Sequence, residues 1–278
     1  MSLSERSELN WCFSSMGCPE YSLPQIASLA ENQGISYVEL RAVDGRLDIP
    51  AYAREKAWIN QDAETLITGN QTKVIAFNAS AKLSMPFDEA FVEIEAFAPL
   101  MKQFNSEYLR IFDGNLNGSD GMEKAWSWMD AWENVRAERD WNFDLTIETH
   151  DSLLTPETIE KLFSKGHENV HLLWDSHHTW KKAGQDPVET WQAVRQWTNH
   201  IHIKDSISKP SARHPYTYVL PGEGEFPLLP LISKLEEDKF AGPVSLEWEK
   251  LWHPYMPSLE EALVTLRNLI APSLEYSN

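Results

Sequence analysis

Two glutamates, an aspartate and a histidine close four successive strand-like runs in the second half of the chain. Glu148 ends Asp144-Leu-Thr-Ile-Glu148 and Asp175 ends Val170-His-Leu-Leu-Trp-Asp175. His202 sits in His200-Ile-His-Ile-Lys204, and Glu247 ends Pro243-Val-Ser-Leu-Glu247. The set is hard and oxygen-rich, which suits Mn²⁺ or Mg²⁺, and its imidazole also admits Co²⁺ or Zn²⁺. Its net charge, about −3 when ionised, is costly to bury without a cation. One divalent metal ion held by Glu148, Asp175, His202 and Glu247 is therefore expected. Such a cation polarises a carbonyl and a neighbouring hydroxyl of a polyol, so that the adjacent C–H becomes acidic and an enediolate accessible. Glu148 and Glu247, on opposite sides, are the expected groups to remove and return the proton.

These residues converge only if the runs are strands with the right parity, because side chains alternate between faces. Thr146 and Glu148 share one face of the first run, away from Leu145 and Ile147. His200, His202 and Lys204 share one face of the third, and Ser245, Glu247 and Glu249 one face of the fourth. The second run is less clean, since Leu173 has the parity of Asp175. Charge at the ends of several inward-facing strands marks the catalytic rim of a (β/α)₈ barrel.

The rest of the chain supplies the elements such a barrel needs. Further strands are expected at 10–14, 37–40, 73–77 and 108–112, with helices at about 23–32, 52–68, 88–104 and 121–139. Pro156, Pro187, Pro227 and Pro257 stand near the starts of the last four helices, where a missing N–H costs little. Eight strand–helix units imply parallel strands with right-handed crossovers. No Gly-rich dinucleotide fingerprint follows the first strand, where Ser14-Ser-Met-Gly-Cys-Pro19 stands. The fold expected is α/β, a single (β/α)₈ TIM barrel spanning 1–278, with residues 1–8 a frayed tail.

At 278 residues the chain has the usual size of one such domain. Its net charge of −18 disfavours a polyanionic partner, which would need a basic surface to release counterions. Nucleic acid is thus not an expected partner; a small neutral or weakly charged sugar or polyol is. No apolar run nears the roughly 18 residues of a membrane span, and no basic-then-apolar leader opens the chain, so a cytoplasmic protein is expected. Cys12 and Cys18 have no metal-binding or redox spacing and are expected as reduced thiols.

The motifs Glu148-Thr-His150, Asp175-Ser-His-His178, His200-Ile-His-Ile-Lys-Asp205, Pro221-Gly-Glu-Gly224 and Ser245-Leu-Glu-Trp-Glu249 resemble those of the xylose-isomerase-like barrel superfamily. Cys18-Pro and Glu39-Leu-Arg41 extend the resemblance toward the N-terminus. Its members include sugar isomerases and epimerases, inosose dehydratases, hydroxypyruvate isomerases and endonuclease IV. By resemblance to the ketose 3-epimerases, Glu148, Asp175, His202 and Glu247 take the ligand positions and His178 contacts substrate. Lys204, His150 and Arg213 are further candidates for substrate contact, and His150 also for ordering the ligand shell. His200 is expected either as a substrate contact or as a buried layer residue, and Arg41 as the partner of Glu39. Trp11, Trp180 and Trp252 lie near rim segments, where an indole can stack on a sugar. Two departures weaken a ketohexose assignment: Ser208 replaces an Arg of those epimerases, with Arg213 nearby, and Glu223 stands where they carry Arg between two glycines.

The activity expected first is that of a metal-dependent sugar or polyol isomerase/epimerase. The alternatives are an inosose-type dehydratase on the same site and a barrel that binds sugar without turnover. An endonuclease IV-like phosphodiesterase fits poorly, because Val74-Ile-Ala-Phe-Asn-Ala79 lacks the histidines a trinuclear site needs. A homodimer paired through rim loops is a further expectation.

Overall fold

A computed structural model of the protein describes residue 3 and residues 7–67 and 72–270. Alternating and continuous apolar runs make eight parallel strands, buried on both faces as a closed sheet demands. They are β1 (Asn10–Ser14), β2 (Tyr37–Leu40), β3 (Lys73–Lys82), β4 (Tyr108–Phe112), β5 (Asp144–Glu148), β6 (Val170–Asp175) and β7 (Thr198–Ile203), with β10 (Pro243–Leu246) completing the set. Each pairs with the next, and β10 lies between β7 and β1, closing the barrel. Between β7 and β10 the chain makes an antiparallel hairpin, β8 (Asp205–Ile207) and β9 (Thr217–Val219).

Helices return the chain between strands: α1 (Leu23–Gln33), α2 (Ile49–Glu55), α3 (Ala63–Leu66), α4 (Phe87–Phe104), α5 (Gly121–Glu138), α6 (Pro156–Phe163), α7 (Ser176–Ala183), α8 (Pro187–Val194), α9 (Leu228–Glu237) and α10 (Leu259–Leu269). Leu145, Ile147, Ile201, Ile203, Val244 and Leu246 are fully buried. By parity they face the helix layer, where each such side chain stabilises the fold by about 1.5–3 kcal/mol. Trp132, Trp174 and Trp248 are also fully buried.

The local differences from the sequence expectation have local causes. The helix expected at 52–68 is instead α2, a 3₁₀ turn at Trp58–Asn60 and α3, because Ala57 takes a left-handed φ of 52° that ends the first segment. Thr68, its expected end, lies outside the described residues. β3 runs on to Lys82, with a register shift against β4 after Asn78. The separate helix α7 starts directly at the end of β6, because the Asp175 carboxylate caps it by accepting the His178 N–H. Of the expected tail, residues 1, 2 and 4–6 lie outside the described residues, whereas Leu3 is buried and Ser7 Oγ donates to Glu236. Cys12 and Cys18 are free thiols, both buried. No helix among the described residues is long and apolar enough to cross a membrane.

Candidate metal centre

β5, β6, β7 and β10 are consecutive around the barrel, and their C-terminal ends bring the four expected donors together. One ligand atom from each of Glu148, Asp175, His202 and Glu247 lies within 4.8 Å of the others, and all four residues are buried. Asp175 is fixed by its double duty: Oδ1 caps α7 and Oδ2 turns to the cluster, 2.9 Å from His178 Nδ1. His202 is fixed by Glu39 on β2, whose two carboxylate oxygens each lie 3.1 Å from Nε2. This leaves His202 Nδ1 buried without a hydrogen bond, 3.4 Å from Glu247 Oε1 and 3.9 Å from Glu148 Oε1. A buried imidazole nitrogen aimed among carboxylate oxygens, with its other nitrogen held by a carboxylate, is the arrangement of a metal-binding histidine. The donor set therefore fits a divalent cation.

The ionisation of the cluster follows from what each group faces. Burial, then the Glu247 charge, pushes Glu148 up to about 7. Burial alone would also raise Glu247, but Lys204 and His202 hold it well below the usual carboxylate range. Burial would lower His202, yet Glu39 and Glu247 keep it well above an ordinary imidazole. A metal bound there would thus compete with a proton for Nδ1.

Lys204 corrects one expectation. Expected as a substrate contact, it instead buries its ammonium among carboxylates, 2.8 Å from Asp175 Oδ2, 2.7 Å from Glu249 Oε1 and in contact with Glu247 Oε2. Three buried carboxylates need compensating charge, and the lysine stem is long enough to bring it. Arg41 corrects another. Glu39 is engaged with His202, so Arg41 donates to Ser80 Oγ instead. His200 is a layer residue: it is buried, with Nε2 2.8 Å from Ser245 Oγ.

The open space beside the cluster is a pocket of about 280 Å³, with Glu148, Glu247, His150, His178 and Arg213 on its wall. Three of the expected substrate contacts are thus at the pocket. His178 Nδ1 also meets the Thr149 carbonyl oxygen, His150 Nδ1 lies 2.7 Å from Asp151 Oδ1, and Arg213 stacks over Trp252. Of the three rim tryptophans only Trp252 lines this pocket; Trp11 is buried in the core and Trp180 packs on His177 and Phe226. Ser208 is engaged by Glu225, which accepts from both its N–H and its hydroxyl. A larger cavity, about 820 Å³, opens between the loops after β3 and β4, but it holds no comparable donor set among the described residues.

Several residues that shape the site were missed by the sequence reading. Arg110, fully buried on β4, places Nε 3.2 Å from Glu148 Oε2. The signal was present, because Arg110 interrupts Leu109 and Ile111 at the inward parity. Asp113 accepts N–H groups from Asp151, Ser152 and Leu153, and so moulds the loop that carries His150. Asp205 does the same for Pro221-Gly-Glu-Gly224, accepting from the N–H groups of Gly222, Gly224 and Phe226. A Cβ at Gly224 would lie 2.0 Å from Asp205 Oδ1, so that glycine is required by close approach.

A family profile described as xylose isomerase-like TIM barrel matches residues 27–269. The chain belongs to the xylose isomerase-like TIM barrel family. It is 30% identical over 190 residues to the 3-dehydroshikimate dehydratase of Bacillus anthracis, which covers 60% of this chain and 64% of that protein. It is 29% identical over 109 residues to the inosose dehydratase of Clostridium botulinum (strain Eklund 17B / Type B), 34% of this chain and 36% of that one. The chain thus spans less than two thirds of the length of either curated relative. Among solved structures, the IolI protein with a bound zinc atom superposes with a TM-score of 0.71 at 19% identity, over 94% of this chain and 96% of that one. That likeness is one of fold.

Proposed function

We propose that the protein is a divalent-metal-dependent dehydratase of a polyhydroxylated ketone that carries a hydroxyl β to its carbonyl. The observation that carries the proposal is the convergence of Glu148, Asp175, His202 and Glu247 beside a pocket, with His202 Nδ1 left for a cation. Two curated relatives are dehydratases, which favours the reading first given as the alternative over the isomerase/epimerase one. The isomerase and the dehydratase share proton removal beside a carbonyl, so the donor set serves either; the relatives tip the choice.

Glu148, Asp175, His202 and Glu247 would hold the cation, and the zinc of the IolI protein is in keeping with a metal on this fold. Bound there, it would supply polarisation of the substrate carbonyl. The remaining work falls to side chains. A carboxylate that ligates a cation is depleted of basicity, so in this reading the proton step moves from Glu148 and Glu247 to His150. Its Nδ1 is held by Asp151, which sets the imidazole to act through Nε2. Nε2 takes the proton from the carbon α to the carbonyl, and the electron pair forms the enediolate. Collapse of the enediolate makes the carbon–carbon double bond and expels the β-hydroxyl. The imidazolium returns its proton to that oxygen, and one water leaves. His178 and Arg213 line the same wall, and in this reading they bind substrate oxygens.

The test is product analysis. Mn²⁺-loaded protein is incubated with inososes, 3-dehydroshikimate and ketohexoses, and the products are read by NMR, ultraviolet absorbance and mass. Loss of one water from a β-hydroxy ketone is expected. Formation of an epimer or aldose–ketose isomer without water loss would overturn the dehydratase reading.

A further inference from the structure

We infer that His214, Glu249 and His253 form a second divalent-metal site, of the zinc class, on the wall of the same pocket. Each offers one ligand atom, and the three atoms lie within 4.8 Å of one another. Glu249 and His253 are four residues apart on a single helical turn, the His253 N–H donating to the Glu249 carbonyl at 3.0 Å, which puts both side chains on one face. Glu249 Oε1 is already used by Lys204 Nζ and the Tyr218 hydroxyl. Its Oε2 is turned to His253 Nε2 at 3.8 Å, too long for a hydrogen bond.

A second, independent observation points to a ligand at this place. His253 is only 2% exposed, and its Nε2 has no hydrogen-bond partner among the described residues. Such an atom is costly to bury unless something binds it. His214 comes from the loop between β8 and β9, where its ring stacks on Tyr216 at 4.9 Å and 5°. Its approach is thereby set before any ion arrives.

The chemistry of this set differs from that of the first. Two imidazoles and one carboxylate suit Zn²⁺, Co²⁺ or Ni²⁺, and three protein ligands leave a coordination position open. Three carboxylates and one imidazole suit a harder ion. Lys204 borders both sets, but the second has one carboxylate against three and Arg213 on the same wall, so it is the weaker of the two and fills after the first. Glu148 and Glu247 of the first set and all three residues of the second line one pocket of about 280 Å³, so an ion at the second site borders the space for substrate.

Cobalt(II) titration of metal-free protein tests the inference, with metal content by equilibrium dialysis and coordination by d–d absorption. Two equivalents are expected in the wild type. His214→Ala, at the rim, and His253→Ala should each keep the tighter equivalent and lose the weaker; Glu247→Gln should weaken the tighter and keep the other. A single wild-type equivalent that both histidine variants keep, or a second equivalent that survives in both, would overturn the second site. Failure of the first site reads separately, as loss of the equivalent sensitive to Glu247→Gln.

Discussion

Glu39→Gln isolates the role of a carboxylate that touches neither pocket nor ion. The amide oxygen can still accept the His202 Nε2–H, so the ring keeps its orientation while one buried negative charge is removed. At 3.1 Å and an effective dielectric near 20, unit charges attract by about 5 kcal/mol. A cation beyond Nδ1 stands roughly a ring's width farther away and feels about half of that per unit charge. Screening and relaxation reduce it again, and removing such outer partners weakens metal binding by about 10–100-fold, or about 1.4–2.8 kcal/mol. The effect must depend on pH. Burial opposes the His202 proton, but Glu39 and Glu247 keep it bound well above the usual range. Glu39 therefore strengthens the competing proton as well as the metal. At pH 9 the proton competes less than at pH 6 and the larger loss is expected; at pH 6 the two losses partly offset and the ratio of dissociation constants shrinks. Chelator-buffered Mn²⁺ titrations at both pH values measure this. A Glu39→Gln protein with wild-type circular dichroism and Tm and an unchanged Mn²⁺ affinity at pH 9 would refute the argument.

His150→Gln should lower kcat by about 10²–10⁴-fold while metal content stays that of the wild type; an unimpaired kcat would remove His150 from the proton step. Arg110→Met removes the guanidinium that lowers Glu148, so the carboxyl, already held up to about 7, takes up a proton at neutral pH and the loss in urea melts of metal-free protein is about 1–3 kcal/mol, with a smaller gap when Mn²⁺ is present. Equal metal-free stabilities would mean that the pair carries no such burden. His200 is held down to about 3, against 6.5 unperturbed, by burial, which outweighs the opposing charge of Glu39, so the folded state keeps it neutral. Its contribution is fully present above pH 6.5 and is lost as the pH falls from there toward 3, because the unfolded chain binds the proton first. The slope is at most about 1.4 kcal/mol per pH unit. Metal-free His200→Gln should accordingly lose less stability than the wild type between pH 7 and 4, and parallel stability curves would contradict this.

Much of the site was legible because it depends on local rules. Parity and a position at or next to a strand end single out Glu148, His202 and Glu247 without any knowledge of their neighbours, Asp175 is marked by its strand end alone, and closure of consecutive parallel strands brings the four to one rim. Proline at the start of α6 and α8 marked those boundaries in the same local way. The helix expected at 52–68 failed because a single left-handed residue, Ala57, is not announced by its side chain.

What residue types and periodicity determined by themselves was the barrel, its rim and four side chains that converge there. Which group answers which was decided only by tertiary structure. Glu39 and His202 are 163 positions apart and on strands that are not neighbours, since β1 and β10 stand between β2 and β7. Their contact exists only across the closed interior. Lys204 was placed by alternation on the right face, but its ammonium went to the cluster and not to the pocket, because Asp175, Glu247 and Glu249 meet there. The same convergence set Arg110 against Glu148. Alternation fixes the face on which a charge lies; the partner it finds is fixed by the folded barrel, since electrostatic pairing acts through space and not along the chain.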